Sequence, residues 1–162
     1  MSGRDAPAFR GRLVGIFVAP RGGAPMTACT TVAAQAGVGL AGDRYALATG
    51  SFSARGRDPR DVTLVEREAV DAVRAVGIDV TEADTRRNLV TEGVPLNQLV
   101  GRTFRVGKVR LRGLRLAEPC AYLEQLTGLP GVRQALVHRG GLRAELLDDG
   151  ELRVGDVIEP DA

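Results

Sequence analysis

The chain has 162 residues, 44% hydrophobic but only 4% aromatic, which suffices for one compact unit with a core of Val, Leu, Ile and Ala. Its 22 basic and 20 acidic residues leave a net charge of +2, which excludes a global field for gripping nucleic acid or an anionic membrane, so any basic site must be local. Two cysteines, Cys29 and Cys120, with no apolar leader before them, argue for free thiols and a cytoplasmic location, and the longest apolar run, LVGIFVA, is too short to span a bilayer.

An N-terminal tail is expected at residues 1–11 and a single domain at residues 12–159. The first strand is predicted at residues 13–19, closed by the loop PRGGAP, and a second apolar run at residues 29–34 leads into the glycine-rich AGVGLAGDRY. Residues 50–60, GSFSARGRDPR, lack apolar anchors and read as an exposed loop of the kind that covers a site. DVTLV, residues 61–65, is a strand, and residues 66–76 form a helix with Ala69, Val70, Val73 and Val76 on one side and Gly77 as its C-cap. RRNLVT is a short strand entering EGVPLNQLVG, and RTFRVG opens a hairpin.

In the following segment Val109 and Leu111 share one parity while Leu114 and Leu116 share the other. An extra residue at Gly113, forming a β-bulge, restores a single apolar face and bends the strand. LRAELLDDGELRVGDVIEP reads as a hairpin turning at residues 148–150, with a second corner at Gly155 and Asp156. Many short strands and a few short helices predict a curled sheet of mixed α/β class, mainly β.

Several motifs fail on their own mechanics. GVGLAG at residues 37–42 satisfies G-x-G-x-x-G with Asp61 downstream, but DRYALATGSFSARG supplies no amphipathic helix after the glycines, so a dinucleotide site is rejected. GRTFRVGKV resembles a P-loop only faintly, because Val109 stands where a magnesium-binding hydroxyl belongs. One histidine and two distant cysteines advertise no zinc cage.

Other residues carry chemistry with alternatives attached. In TRRN, Arg86 and Arg87 fall on alternating sides of the predicted strand, so one guanidinium points inward and requires an anion, either a phosphate-bearing ligand or an internal carboxylate. The cations from Arg102 to Arg115 include Arg110 and Arg112 opposite the apolar face, where a solvated outer surface is the plainer reading than a docking stripe. His138 in HRGG is either the activator of a nucleophile or a hydrogen-bonding turn residue. In RLAEPCAYLE, with Glu118 as N-cap and Pro119 at the first helical position, Cys120 falls in the first turn of a helix running to about Thr127 and stopped by Gly128. That placement favours a thiolate, the form that ligates a soft metal or carries sulfur; the alternative is an inert buried cysteine, the reading given to Cys29.

Taken in order, GLAGDRYA, DVTLVERE, RRNLVTEGVPLNQLVGRTFRVG, EPC, HRGGLRAELLDDG and VGDVI resemble the MOSC domain, the module named for the C-terminal part of molybdenum cofactor sulfurases, over about residues 12–159. The resemblance implies a β-barrel with peripheral short helices and a pocket for a molybdenum-bearing pterin. It also implies Cys120 as catalytic residue and metal ligand or sulfur carrier, with Arg86, Arg87, Asn88, Asp43, Arg44, His138 and Arg139 as cofactor-binding residues. The chain looks like the short free-standing members, without the aminotransferase-like sulfurase domain. Pyridoxal phosphate, which belongs to that domain, is not expected, since Lys108, the one lysine, lies in a predicted hairpin corner.

Three functions are compatible with that resemblance. One is an oxidoreductase reducing N-hydroxylated small molecules with electrons from a separate reductase. Another is a sulfur carrier in which a persulfide on Cys120 is charged by a cysteine desulfurase, and the third is a non-catalytic ligand-binding domain.

Overall fold

The computed structural model describes residues 7–47, 61–119 and 121–161. Among the described residues eight strands form one sheet in the order β11-β7-β8-β9-β5-β6-β1-β2, and a further pairing of β11 with β1 closes seven of them into a barrel. The strands are β1 Gly11–Val18, β2 Thr27–Cys29, β3 Thr31–Gln35, β4 Gly39–Leu40, β5 Val62–Glu66, β6 Leu89–Glu92, β7 Thr103–Val106, β8 Val109–Leu116, β9 Leu142–Leu146, β10 Gly150–Arg153 and β11 Val157–Pro160. The mainly β, barrel-forming class expected from the sequence is the one found.

Alternating strand residues fill the barrel: Leu13 and Ile16 from β1, Val62 and Leu64 from β5, Phe104 and Val106 from β7, Leu111 from β8, Leu142 and Leu146 from β9 and Ile158 from β11 are all buried. β5 departs from alternation because it pairs in parallel with β6, and both its faces are covered. Val65 and Val90 turn outward against Ala69, Val70 and Val73 of α1 (Arg67–Ala75), Leu123 of α2 (Ala121–Thr127) and Val132 of α3 (Val132–Ala135). A crossover helix is what two parallel neighbours require. It ends at Gly77, φ 93°, where the Gly77 and Ile78 N–H groups return to the Arg74 and Val73 carbonyls. Val76, placed on the apolar side from sequence, is the C-cap and is exposed.

The parity break in β8 is a bulge, with the register against β9 shifting between Gly113 and Arg115. Gly113 donates to Arg102 O and accepts from Gly101 N, and a Cβ there would sit 2.1 Å from Leu99 O. The glycine is needed for this close approach as well as for the bend.

Two expectations are corrected. Residues 29–34 are not one strand: the chain breaks at Thr30, with β2 on the barrel sheet and β3 in a second sheet of order β10-β3-β4. Residues 142–160 do not fold back as a hairpin, since β9 pairs with β8 and β5 while β10 pairs with β3. The turn residues explain the crossing. Asp148 grips both the N–H and the guanidinium of Arg110, and Asp149 accepts from Ala36 N, so the acids bind neighbouring strands instead of closing a two-strand turn. Leu152, fully buried, then faces Val32 and Ala34 at the barrel core.

Replacing Gly113 by alanine forces the 99–102 segment away from β8. We expect a loss of about 2 kcal/mol of unfolding free energy, the usual range for overpacking, read from urea denaturation; an unchanged midpoint would refute the close-approach explanation.

Candidate functional site

The glycine-rich segment makes the β3–β4 turn and leads directly to the GDR element. Asp43 is completely buried, and its Oδ1 accepts from Ala19 N and Arg44 Nη1, both at 3.1 Å, while Oδ2 accepts from Tyr45 N. Arg44, 5% exposed, lies over the Tyr45 ring and donates to Met26 Sδ and to Arg86 O at 2.9 Å. A buried charge pair of this kind holds only when its remaining donors are satisfied, and here a carbonyl of the next site segment does part of that. Asp61, the acid spaced for a ribose, instead accepts from Leu146 N at 2.8 Å.

Arg86 and Arg87 do not stand on a strand. Thr81 and Asp84 exchange side-chain to backbone hydrogen bonds in a capping box, a 3-10 turn follows at Ala83–Thr85, and Arg86 closes it at φ 65°. The sequence TEAD carried that signal. Freed from alternation, both side chains reach backbone carbonyls: Arg86 donates to Ala24 O, and Arg87 donates through Nε to Gly140 O at 2.7 Å and through Nη2 to Ala117 O at 2.6 Å. Burial, and then the positive charge of Arg44, depress the Arg86 pKa; Tyr122, Tyr45 and Asp43 act in the opposite sense.

Asn88 is wholly buried and works as framework. Its Oδ1 accepts from Thr63 N and Thr63 Oγ1, its own N–H donates back to Thr63, and Nδ2 donates to Phe17 O at 3.0 Å. The amide therefore ties β1, β5 and β6 together one residue before β6 begins.

The remaining residues meet across the 117–119 and 138–141 segments. His138 has φ 64°, and its N–H and Nδ1 both face the Glu118 carboxylate, at 2.7 and 3.1 Å. With its ring 80% exposed, it fits the turn-residue reading. Glu118 is not an N-cap, nor is Pro119 the first helical residue, because α2 starts at Ala121 and the Glu118 carboxylate is spent on His138. Gly128, φ 68°, does stop the helix. Cys120 and the loop at residues 50–60 lie outside the described residues.

Arg139 lines a hollow of about 70 Å³ with Glu66, Leu96, Asn97, His138 and Gly141. That is room for a few waters, too little for a pterin. Burial raises the Glu66 pKa, against the hydrogen bond from Leu96 N; Glu68 adds to the rise and Arg139 opposes it. Glu66, Asn97, Tyr122 and Met26 were not singled out from sequence; each comes from a different element, and nothing in their spacing relates them.

The donor set around Asp43 fits the anionic end of a pterin cofactor. Arg44 is paired with Asp43 and donates to the Arg86 carbonyl, while the Arg86 guanidinium, held on Ala24 O, feels the charges of Arg44 and Asp43 and forms no ion pair among the described residues. A phosphate beside Arg86 would restore neutrality.

The comparisons agree with this architecture. The MOSC domain model matches residues 52–159, and the chain belongs to the MOSC domain family. Solved structures share the fold: YuaD from Bacillus subtilis, at TM-score 0.76 and 16% identity, covers 94% of this chain and 96% of its own. YiiM from Geobacillus stearothermophilus gives TM-score 0.70 at 17% identity over 94% of this chain and 75% of that one. YiiM from Escherichia coli gives 0.62 at 18% over 96% and 70%. No curated protein matches the chain in sequence. Among the described residues no helix is long and apolar enough to cross a membrane.

Two outcomes follow from the framework roles. Asn88→Ala is expected to cost about 3 kcal/mol, since it leaves buried Thr63 and Phe17 groups unsatisfied; a stable variant that had lost only ligand binding would contradict the framework role. A carboxyl whose folded pKa is raised stabilises below its ordinary value, here 4.5, and loses that contribution as pH rises through the folded pKa. Urea midpoints of Glu66→Gln should therefore improve relative to the parent as pH rises from 4.5, and the opposite trend would refute the assignment.

Proposed function

We propose that this MOSC protein binds a molybdenum-bearing pterin and acts as an oxidoreductase on N-hydroxylated small molecules, with electrons delivered by a separate reductase. The observation that carries the reading is the half-buried Arg86 guanidinium, which lies within electrostatic reach of the Arg44–Asp43 pair and forms no ion pair of its own among the described residues. Arg86, with Arg44 behind it, would hold the pterin phosphate, and Cys120 would ligand the metal, a soft centre that thiolates suit. When bound, the group supplies a two-electron centre able to accept an oxygen atom.

The chain's own residues have separable tasks. Arg86 is half-buried, so its attraction for an anion is screened less than that of a surface arginine. Arg44 is held in place by Asp43, Tyr45 and Arg86 O, and orients the turn from which Arg86 projects. Tyr122, close enough to influence Arg86, borders the same cluster from the first turn of α2.

Protein made in a host that synthesises the cofactor should carry molybdenum and pterin in stoichiometric amounts. Cys120→Ala should lose the metal, and Arg86→Ala should weaken retention of the pterin roughly tenfold or more, the size of a charge-assisted hydrogen bond. Metal-free protein whose Cys120 gains one sulfur by intact mass would replace this reading with the sulfur carrier, and failure of both tests would leave a ligand-binding domain.

A further inference from the structure

The geometry points to Arg87 as a positioning residue that braces the backbone leading into Cys120, a task separate from the ligand contact assigned to its neighbour Arg86. The inference deepens the proposed reading, resting on Cys120 as the working residue, but the brace itself is defined by this chain's own atoms.

The guanidinium edge of Arg87 spans two carbonyls that are far apart in sequence. Nε reaches Gly140 O at 2.7 Å and Nη2 reaches Ala117 O at 2.6 Å. These are charge-assisted bonds with the fork geometry that a lysine ammonium cannot reproduce. The two carbonyls lie together because the segments are packed backbone to backbone. Ala117 N donates to Gly141 O at 2.8 Å, and a Cβ on Gly140 would fall 2.3 Å from Ala117 O and 2.8 Å from Pro119 Cδ. Gly141, φ 115°, lies as close to Leu64 O on its other side, where a Cβ would be 1.9 Å away. Glu118 then ties the same corner to His138.

The segment before Cys120 is thus fastened to the 138–141 turn by an arginine fork, a backbone hydrogen bond and a carboxylate. Arg87 is the fastening that comes from a third element, the turn before β6, and Asn88 anchors that turn to the barrel. Its task is to hold the 117–119 segment, which leads into Cys120, against the turn that carries Arg86 and Arg87.

Amide hydrogen exchange on the full-length chain, purified without the cofactor, tests the brace directly. In both Arg87→Ala and Arg87→Lys, exchange at Ala117 should speed up roughly tenfold, the loss expected when two such bonds go and the corner opens locally. Leu13 N, bonded to Asp156 O in the barrel seam, should be unaffected. Alkylation of Cys120 should accelerate relative to Cys29, which lies on β2 away from the brace. Equal acceleration at Ala117 and Leu13 would mean global destabilisation and overturn the brace, as would full rescue by lysine. Faster exchange at Ala117 with an unchanged ratio of cysteine reactivities would overturn its role toward Cys120. None of these readouts depends on pterin binding, so the brace and the proposed function fail separately.

Discussion

The reciprocal hydrogen bonds between Asn88 and Thr63 fix where the two parallel strands meet, and the site is hung from that junction. Because Asn88 also holds Phe17 O, three strands are locked at one buried amide. Such a polar group is costly unless fully satisfied, and once satisfied it permits little drift. The turn immediately before it therefore presents Arg86 and Arg87 from a fixed base. Arg86 accepts from Arg44 at its carbonyl and donates through its guanidinium to Ala24 O, and Arg87 reaches toward the Ala117 and Gly140 carbonyls, so adjacent residues serve different segments.

Charge is distributed with the same economy. On the outer barrel surface arginines of one strand meet acids of neighbouring segments: Arg110 meets Asp148 in the turn after β9, and Arg105 meets Glu159 on β11 and Asp161 just beyond it. Those partly exposed pairs are screened by solvent and contribute little. At the Asp43 cluster the arrangement is different, with two cations around one buried acid. An imbalance tolerated on the surface costs more at a half-buried position, and that cost is the ground for the anion proposed there.

Local features were legible from sequence where one strand or helix determined them. The changed parity around Gly113 announced the bulge, and Gly77 and Gly128 announced helix ends. Features decided by partners far along the chain were not legible. Whether residues 150–153 return to β9 or cross to β3 depends on where the Asp148 and Asp149 carboxylates find donors, and those are Arg110 and Ala36. The order of motifs was enough to indicate the family. Their division of labour was not: Asn88 as framework, Arg87 on carbonyls and Glu118 on His138 are contacts between segments that no periodicity links.

The pairing of the first and last barrel strands constrains how the molecule can be made. β1 and β7 both wait for β11, which begins at Val157 whereas β1 begins at Gly11, so each keeps an open hydrogen-bonding edge until the final strand is inserted. β3 likewise waits for β10. Insertion of the closing strand satisfies both of these edges and completes the seven-stranded barrel, leaving β2 and the rims of the small sheet as the edges among the described strands.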